Sequence, residues 1–361
     1  MSSKLFTMAV VLAAVLGWVS IGRDSASAGE VSIPSDYKVL APIRQGNLTV
    51  FPVVAAATHD TRDFLTLDEG IRSGAVVVSE SGGMQPLVRR HGMVMPREGA
   101  QVNQLVLVNN SKRPLILLAG EIVTGGKQDR VIGKDRIVPA ESDPIDLSVF
   151  CVEPGRWTGV SNKFVSTAGA MAQPGVRSKA MADQNQAMVW SEVRKAQGTM
   201  AAAVPAPAAS GVTETSSYAR VMQNDAVKEK VSAVAEPIQR GYESVIKQLR
   251  DRNAVGVVAA VNGEVVWADI FASTGLLEKY WPKLVRSYAA ESIGGKTKSA
   301  DVDVKAAQKF VDDLEGRHEV TESETGLYSH TEVTGDGFKA FELTSLLPKT
   351  GFAVHIAKMA D

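Results

Sequence analysis

Apolar and polar positions form short blocks in the first half of the chain, and these blocks predict strands. Leu115–Ala119 is an apolar run ending at Gly120, the length of a buried strand and too short to span a membrane. Ile145–Cys151 alternates apolar with polar side chains, which is typical of a half-buried strand. Val131–Val138 is predicted to form a hairpin around Gly133-Lys134. Residues 37–157 are therefore expected to build a β-rich sandwich or barrel-like layer.

Helical spacing of apolar residues replaces this pattern in the middle of the chain. Residues 178–197 carry Met, Val and Trp side chains among polar ones, which predicts a helix. The stretch 198–217 is rich in Ala and Pro and is interpreted as a flexible insertion. Helical spacing returns over 218–250, where Pro237 is expected to break or kink the helix.

A β-hairpin is the clearest local feature of the C-terminal part. Val255–Val261 and Glu264–Phe271 are β-rich runs separated by Asn262-Gly263, the dipeptide best suited to a type I′ turn. A helix over Leu276–Ser292 is predicted next, and strands follow, one of them over His318–Val333.

These elements together predict an α+β protein. Its parts are a β-rich N-terminal portion (37–165), central helices, and a helix-plus-hairpin α/β portion (218–361).

The first residues have the pattern of an export signal. Lys4 supplies a positive charge, Leu5 to Ile21 is an apolar core, and Ala26-Ser27-Ala28 is a small-x-small cleavage site. Cleavage after Ala28 is expected to leave a periplasmic or secreted protein without a membrane segment. The alternative is that residues 5–21 remain as an anchor.

Composition narrows the classes of partner. The formal net charge is −1, with both signs mixed along the chain, which argues against a general nucleic-acid binder. Cys151 is the single cysteine, so an exported chain would have no internal disulfide. No cofactor motif is present, and nothing in the sequence determines an oligomeric state.

Charged residues crowd between two predicted framework strands. The loop after Thr124 offers backbone N–H groups, two cations and an amide, a set that could hold a phosphate or carboxylate. The alternative is a solvated turn whose charges pair with one another. The candidate ligand-binding residues are Glu121, Gly125, Gly126, Lys127, Gln128, Asp129, Arg130, Glu153, Arg156 and Trp157.

Two of these candidates have explicit alternatives. Glu121 follows an apolar strand, so it would need a cation partner (Arg130, Arg136 or Arg156) and is either a structural ion pair or a general base. Trp157 could stack on a ligand ring or lie in the core.

Nucleophile and metal chemistry are not indicated. Cys151 occupies the inward phase of its strand, which predicts a buried structural thiol. The five histidines have no metal-ligand spacing, so no metal site is predicted.

Several motifs resemble one known family. They are Gly120-Glu121, Gly125 to Arg130, Val152-Glu153 with Gly155-Arg156-Trp157, the hairpin Val257–Phe271, and Trp281-Pro282-Lys283-Leu284 with Arg286-Ser287-Tyr288. This set resembles the ARG and rhodanese-phosphatase-superfamily-associated protein domain, a domain of unknown function, over roughly residues 37–355. The family's name implies a ligand that carries ribose or phosphate. It implies no catalytic residues.

Three functional hypotheses follow. The preferred one is binding of an anionic small molecule or partner without catalysis. The second is a hydrolase acting on an ADP-ribosyl or phosphoester substrate, with Glu121 or Asp129 as the base. The third is a scaffold in which the charged motifs are purely structural.

Overall fold

The computed structural model of the chain describes residues 37–81, 103–159, 161, 163–294 and 302–361. The predicted export signal over 1–28 lies outside these residues and stays a prediction. Among the helices of the described ranges, none has the length and apolar character needed to cross a membrane.

The described residues form short strands in the N-terminal half, helices in the middle, and long strands towards the C-terminus. The strands are β1 (Lys38–Val39), β2 (Ile43–Gln45), β3 (Leu48–Ala55), β4 (Leu65–Thr66), β5 (Val76–Glu80), β6 (Gln104–Asn109), β7 (Leu115–Leu117), β8 (Glu121–Gly125), β9 (Arg130–Ile132), β10 (Arg136–Val138), β11 (Ile145–Cys151), β12 (Lys163–Met171), β13 (Asn253–Val261), β14 (Glu264–Phe271), β15 (Arg317–Glu324), β16 (Tyr328–Gly335), β17 (Phe338–Ser345) and β18 (Ala353–Ala360). The helices are α1 (Leu67–Arg72), α2 (Pro174–Met181), α3 (Gln186–Ala203), α4 (Ala206–Thr213), α5 (Tyr218–Gln223), α6 (Asp225–Gln248), α7 (Thr274–Glu291) and α8 (Val304–Asp312). The α+β class with a β-rich N-terminal part is confirmed.

Six of the N-terminal strands close into a barrel in the order β11-β6-β5-β12-β8-β9. Alternate residues of each strand point inwards, and the inward ones form a continuous apolar core that includes Val78, Leu107, Val123, Val149 and Phe164. The barrel-like layer predicted from the short apolar blocks is confirmed.

A small sheet, β10-β7-β4, packs against this barrel core. The hairpin predicted around Gly133-Lys134 is wrong, because β9 pairs with β8 and β11 whereas β10 pairs with β7. The connection between β9 and β10 carries Asp135, whose buried carboxylate accepts a hydrogen bond from the Ala119 backbone N–H at 2.7 Å. This hydrogen bond fixes the connection where the chain crosses from the barrel to the small sheet.

The C-terminal strands belong to a larger sheet in the order β1-β3-β13-β14-β18-β17-β16-β15, with β2 paired to β3. The predicted hairpin is confirmed as β13 and β14. Asn262 and Gly263 have φ angles of 54° and 83°, the positive values that a type I′ turn requires.

The strand predicted over His318–Val333 is two strands, β15 and β16, joined by a turn in which Gly326 has a φ of 74°. The polar run Glu322-Ser323-Glu324 at the end of β15 hid this reversal in the sequence.

Helices cover both faces of the larger sheet. Helices α6 and α7 pack on one face, where Val257, Trp267 and Tyr280 join the main core. Helix α8 packs on the other face through Ala307 and Val311. The barrel contacts α7 through β12, so this helix lies between the barrel and the larger sheet.

Tertiary packing changes two of the helix predictions. Helix α6 runs without interruption through Pro237, because its buried stripe, including Val231, Ile238 and Tyr242, is anchored in the core on both sides. The helix predicted over 178–197 is divided into α2 and α3, because the Asn185 side chain caps the N–H groups of Ala187 and Met188.

The Ala/Pro-rich stretch 198–217 contains the end of α3 and all of α4. Val212 of α4 is fully buried in the main core, and α4 leads directly into the candidate site.

Candidate functional site

The glycine-bearing loop between β8 and β9 covers one end of the barrel. Its Lys127 backbone N–H donates to Glu80 Oε1 at 2.7 Å, which ties the loop to the end of β5. Gly126 lies against the Phe164 ring and the Glu80 carboxylate with a φ of 49°, so a side chain on residue 126 would collide with both. The loop is thus a closely fitted part of the barrel.

Arg130 and Cys151 lie inside this end of the barrel. They are direct cross-strand partners, and their neighbours in the same phase, Ile132 and Val149, belong to the barrel core. Arg130 and Cys151 are both 0% exposed, which confirms the predicted buried thiol. Burial raises the pKa of the Cys151 thiol, so this residue is a poor nucleophile at neutral pH.

Asp129, Glu153 and Arg156 form a compact group, here called the clamp. Glu153 Oε2 accepts from Arg156 Nη2 at 2.5 Å and from the Asp129 backbone N–H at 3.0 Å. Asp129 Oδ1 accepts from the Gly125 N–H at 3.2 Å, and Oδ2 accepts from Ser217 Oγ at 2.7 Å. The clamp therefore joins the barrel loop, the strand end after β11, and the start of α5.

Arg156 has most of its donors committed to the protein. Nη1 donates to the carbonyl oxygens of Gly126 and Thr158, at 3.0 and 2.9 Å. The hydrogen bond to Glu153 raises the pKa of Arg156. Burial raises the pKa of Asp129, and the neighbouring Glu153 charge adds to the shift while Ser217 opposes it. These contacts make the clamp a structural junction.

Glu121 lies elsewhere. It begins β8 whereas Gly125 ends it, so about 13 Å of strand separates Glu121 from the loop. Its partner is Lys283 of α7 at 2.5 Å, so the three arginines considered as partners were wrong. Lys283 also pairs with Asp68 at 2.8 Å. Lys283 follows Tyr280 by three residues, so it lies close to the apolar stripe of α7. This position was the sign in the sequence that Lys283 would be buried and would need an acidic partner.

Both carboxylates considered as a catalytic base are occupied by protein donors. Glu121 Oε2 accepts from the Leu118 N–H at 2.7 Å, and Oε1 is held by Lys283. Asp129 has its two oxygens on Gly125 and Ser217. These contacts give the hydrolase hypothesis no support at these two residues.

Lys127 and Trp157 form a surface pair. The Lys127 ammonium lies 4.9 Å from the centroid of the Trp157 ring, and Trp157 is 44% exposed. The alternative that placed Trp157 in the core is wrong. The exposed ring lies on the outside of the loop.

A polar cleft of about 630 Å³ opens beside the clamp. One wall is the corner formed by Glu153, Gly155 and Arg156. The opposite wall comes from the α4–α5 region and its junction with α6, and consists of Gly211, Glu214, Thr215, Ser216, Arg220, Gln223 and Asn224. Apart from the two glycines, every lining residue has a polar or charged side chain.

The sequence analysis missed this second wall. Arg220 is exposed and forms no side-chain ion pair with another described residue. Asn224 accepts from the N–H groups of Ala226 and Val227 as the N-cap of α6, which leaves its amide NH₂ as a donor beside the cleft. Ser217 and Asn224 are both capping residues, and their spacing was a local sign of two helix starts at this place.

A second charged group, fully buried, links the small sheet to the larger one. Arg177 donates to both carboxylate oxygens of Asp269, at 2.9 and 3.0 Å. His355 Nε2 lies 3.1 Å from Asp269 Oδ1, and its Nδ1 lies 2.5 Å from Asp135 Oδ2. Burial alone would raise the pKa of Asp269, but Arg177 and His355 hold it well below its usual range. This charged chain, here called the internal network, was also missed.

The comparison with known families agrees with the resemblance noted from the motifs. The model of the ARG and Rhodanese-Phosphatase-superfamily-associated Protein domain matches residues 36–359. The chain belongs to this family. No curated protein and no solved structure matches the chain.

The motifs that resemble the family contact one another in the fold. Glu121 of one motif pairs with Lys283 of another, and Asp129 meets Arg156 at 3.5 Å. The Tyr288 hydroxyl donates to Asp269 of the hairpin. In this member of the family these charged residues hold the barrel, the larger sheet and α7 together.

Within the described ranges, no group of three or more His, Cys, Asp and Glu side chains is arranged to hold a metal ion.

The internal network predicts a loss of stability as the pH rises from 6.5 to 8. Burial opposes the charged form of His355, but the carboxylates of Asp135 and Asp269 outweigh it and raise the pKa to about 9. The folded state therefore holds a proton that the unfolded state releases near pH 6.5. This contribution is complete below pH 6.5 and declines as the pH approaches 9. The expected loss between pH 6.5 and 8 is about 1.5 kcal/mol.

Urea denaturation across this range measures the effect. Two groups have the opposite sign, because burial lowers the pKa of His330 to about 4 and that of Lys358 to about 8, and their contributions fall mainly below pH 6.5 and above pH 8. His355→Gln should abolish the slope, whereas His59→Gln, an exposed histidine, should keep it. An equal slope in His355→Gln would show that another group is responsible.

Proposed function

We propose that this protein binds a small, polar, anionic molecule, of the size and chemistry of a sugar phosphate, in the cleft beside the clamp, without turning it over. The observation that carries the proposal is a cleft lined by polar and charged residues and glycines, with an exposed arginine that has no ion-pair partner among the described residues. A lining without apolar side chains disfavours a lipid or a hydrophobic ligand.

The charges of the cleft support an anion. The Glu153 carboxylate and the Arg156 guanidinium neutralise each other at 2.5 Å, which leaves Arg220 as the cation that a ligand can engage. Asn224 caps the 24-residue helix α6, so the partial positive charge at the start of this helix lies beside the same space. A phosphate at Arg220 would gain from both.

The remaining polar groups suit hydroxyl groups on the ligand. Gln223, Ser216 and the free amide NH₂ of Asn224 offer donors, and Glu214 on the rim is an acceptor. A ribose carrying a phosphate presents this combination of an anion and several hydroxyls, which agrees with the ligand that the family's name implies.

Isothermal titration with ribose 5-phosphate tests the proposal. Arg220→Gln is expected to weaken binding about tenfold or more, because a hydrogen bond to a charged group contributes about 1.5–3 kcal/mol. Its melting temperature should stay at the wild-type value, since Arg220 is exposed. Arg194→Gln removes an exposed arginine from α3, outside the cleft lining, and should bind as the wild type does. No binding by the wild type, or equal binding by Arg220→Gln, contradicts the proposal.

A further inference from the structure

The guanidinium of Arg130 is buried inside the barrel with one edge unused. Only Nη1 has a partner among the described residues, the Asp129 carbonyl oxygen at 3.4 Å. Nε and Nη2 are both buried and neither has a hydrogen-bond partner. These two N–H groups lie on the same edge of the planar guanidinium, the edge that engages two oxygens of a carboxylate or phosphate side by side.

Two unused acceptors lie at the same end of the barrel. Glu80 is in the inward phase of β5, two residues after Val78 of the barrel core. Its Oε1 is held by the Lys127 N–H, but Oε2 is buried without a partner. Gln128 Oε1, in the loop that covers this end, is likewise buried and unpaired. No ion pair joins Arg130 to Glu80 in the described part of the chain, although their charges interact.

Leaving such groups unpaired is costly. A buried donor or acceptor without a partner has lost its hydrogen bonds to water without replacement, and the cost is greater when it belongs to a charged group. Here two donors and two acceptors are unpaired within one end of one barrel, where native proteins normally provide a partner for nearly every buried polar atom. A bound anion with two acceptor oxygens and a hydroxyl group would accept from the two Arg130 donors and donate to one of the two unpaired acceptors.

We propose that the end of the barrel beneath the Gly125–Arg130 loop is an internal binding site for a small oxoanion that carries a hydroxyl group, such as monohydrogen phosphate or hydrogen carbonate. Two oxygens of the anion accept from Nε and Nη2 of Arg130. The hydroxyl donates to Glu80 Oε2 or Gln128 Oε1. The site lies within the barrel and uses none of the residues that line the cleft, so it stands independently of the function proposed above.

The hydroxyl makes the site selective. Monohydrogen phosphate and sulfate both carry two negative charges, but sulfate at neutral pH has no proton to donate to Glu80. A buried carboxylate facing a sulfate oxygen would leave two acceptors opposed. Phosphate is therefore expected to bind at least about tenfold more tightly than sulfate, the ratio that a difference of 1.4 kcal/mol produces.

The test uses the full chain, freed of anions by denaturation and refolding, in the Arg220→Gln background so that the cleft does not contribute. Phosphorus-31 NMR with inorganic phosphate, and carbon-13 NMR with labelled hydrogen carbonate, should show one bound anion per chain for at least one of the two. Arg130→Lys keeps the positive charge but removes the pair of side-by-side N–H donors, Nε and Nη2. The signal of the bound anion should therefore disappear. Glu80→Gln should reduce the preference for phosphate over sulfate.

Clear results would overturn the proposal. They are the lack of a bound signal with either anion, persistence of the signal in Arg130→Lys, or equal affinity for phosphate and sulfate where phosphate binds. If Arg130→Lys does not fold, a crystal structure of the wild-type protein grown with phosphate decides the matter. An anion within hydrogen-bond distance of Nε and Nη2 supports the site, and water molecules there instead refute it.

Discussion

Arg177→Met is expected to lower the free energy of unfolding by about 3–5 kcal/mol, because removing one partner of a buried ion pair leaves the other charge uncompensated. Arg177 and Asp269 are both 0% exposed, and the guanidinium also lies 4.4 Å from the centroid of the Trp267 ring. The variant would leave His355 and Tyr288 as the partners of the Asp269 carboxylate among the described residues. Urea denaturation at pH 7 measures the change.

Two further variants control this experiment. Arg240→Met removes an exposed arginine that pairs with Glu236 at 3.7 Å on α6, and should change stability by about 0.5 kcal/mol or less. Arg177→Met combined with Asp269→Asn should recover part of the loss, because the buried charge is then gone. A loss below about 1 kcal/mol in Arg177→Met would mean that the internal network does not stabilise the fold as described.

Lys283→Met should have an effect of similar size, about 3–5 kcal/mol at pH 8, because it leaves the Glu121 and Asp68 carboxylates facing each other. Lys283 is nearly fully buried between the barrel and α7. Burial already raises the pKa of Glu121 even with Lys283 beside it. Without Lys283 the folded state binds a proton at Glu121 more readily than the unfolded state does. The deficit of Lys283→Met relative to the wild type should therefore shrink as the pH falls from 8 to 5.5.

Lys279→Met provides the matched control for this prediction. Lys279 lies one turn earlier on α7 and pairs with Glu69 at 3.0 Å, but both side chains are about one-third exposed. Such a pair contributes at most about 1 kcal/mol. Equal losses in the two variants, or a deficit in Lys283→Met that does not depend on pH, would contradict the assigned role of Lys283.

Local features of the sequence predicted the local features of the fold. The Asn262-Gly263 turn between two β-rich runs predicted the hairpin of β13 and β14, because the positive φ angles are a property of those two residues. The inward phase of Cys151 followed from the apolar positions Ile145, Leu147 and Val149, which alternate with Asp146 and Ser148 along β11. Both predictions needed only neighbours within a few positions.

Contacts between distant residues were beyond the sequence. Glu121 and Lys283 are 162 positions apart, and local reasoning offered only cations close to Glu121 in the sequence. The hairpin at Gly133-Lys134 failed because β9 is already paired on both sides, with β8 and β11, while β10 pairs with the earlier strand β7. Which strand lies beside which is decided by the closure of the barrel, and no short segment encodes that.

The candidate site was predicted in part. The sequence located the crowded charges of the clamp, but most of them pair with one another, as its alternative interpretation allowed. The cleft needs a second wall from the α4–α5 region, and the low-complexity composition of 198–217 directed attention away from it. Arg220 follows this stretch in a short helix, and its role depends on where the core places Val212 and Tyr218.

A crystal structure grown with ribose 5-phosphate tests the binding site most directly. The account predicts phosphate density between Arg220 and the N-terminus of α6, with the ribose towards the corner formed by Glu153 and Arg156. Density for the ligand at the outer face of Trp157 and Lys127, or a cleft that holds only water at saturating ligand, would contradict it.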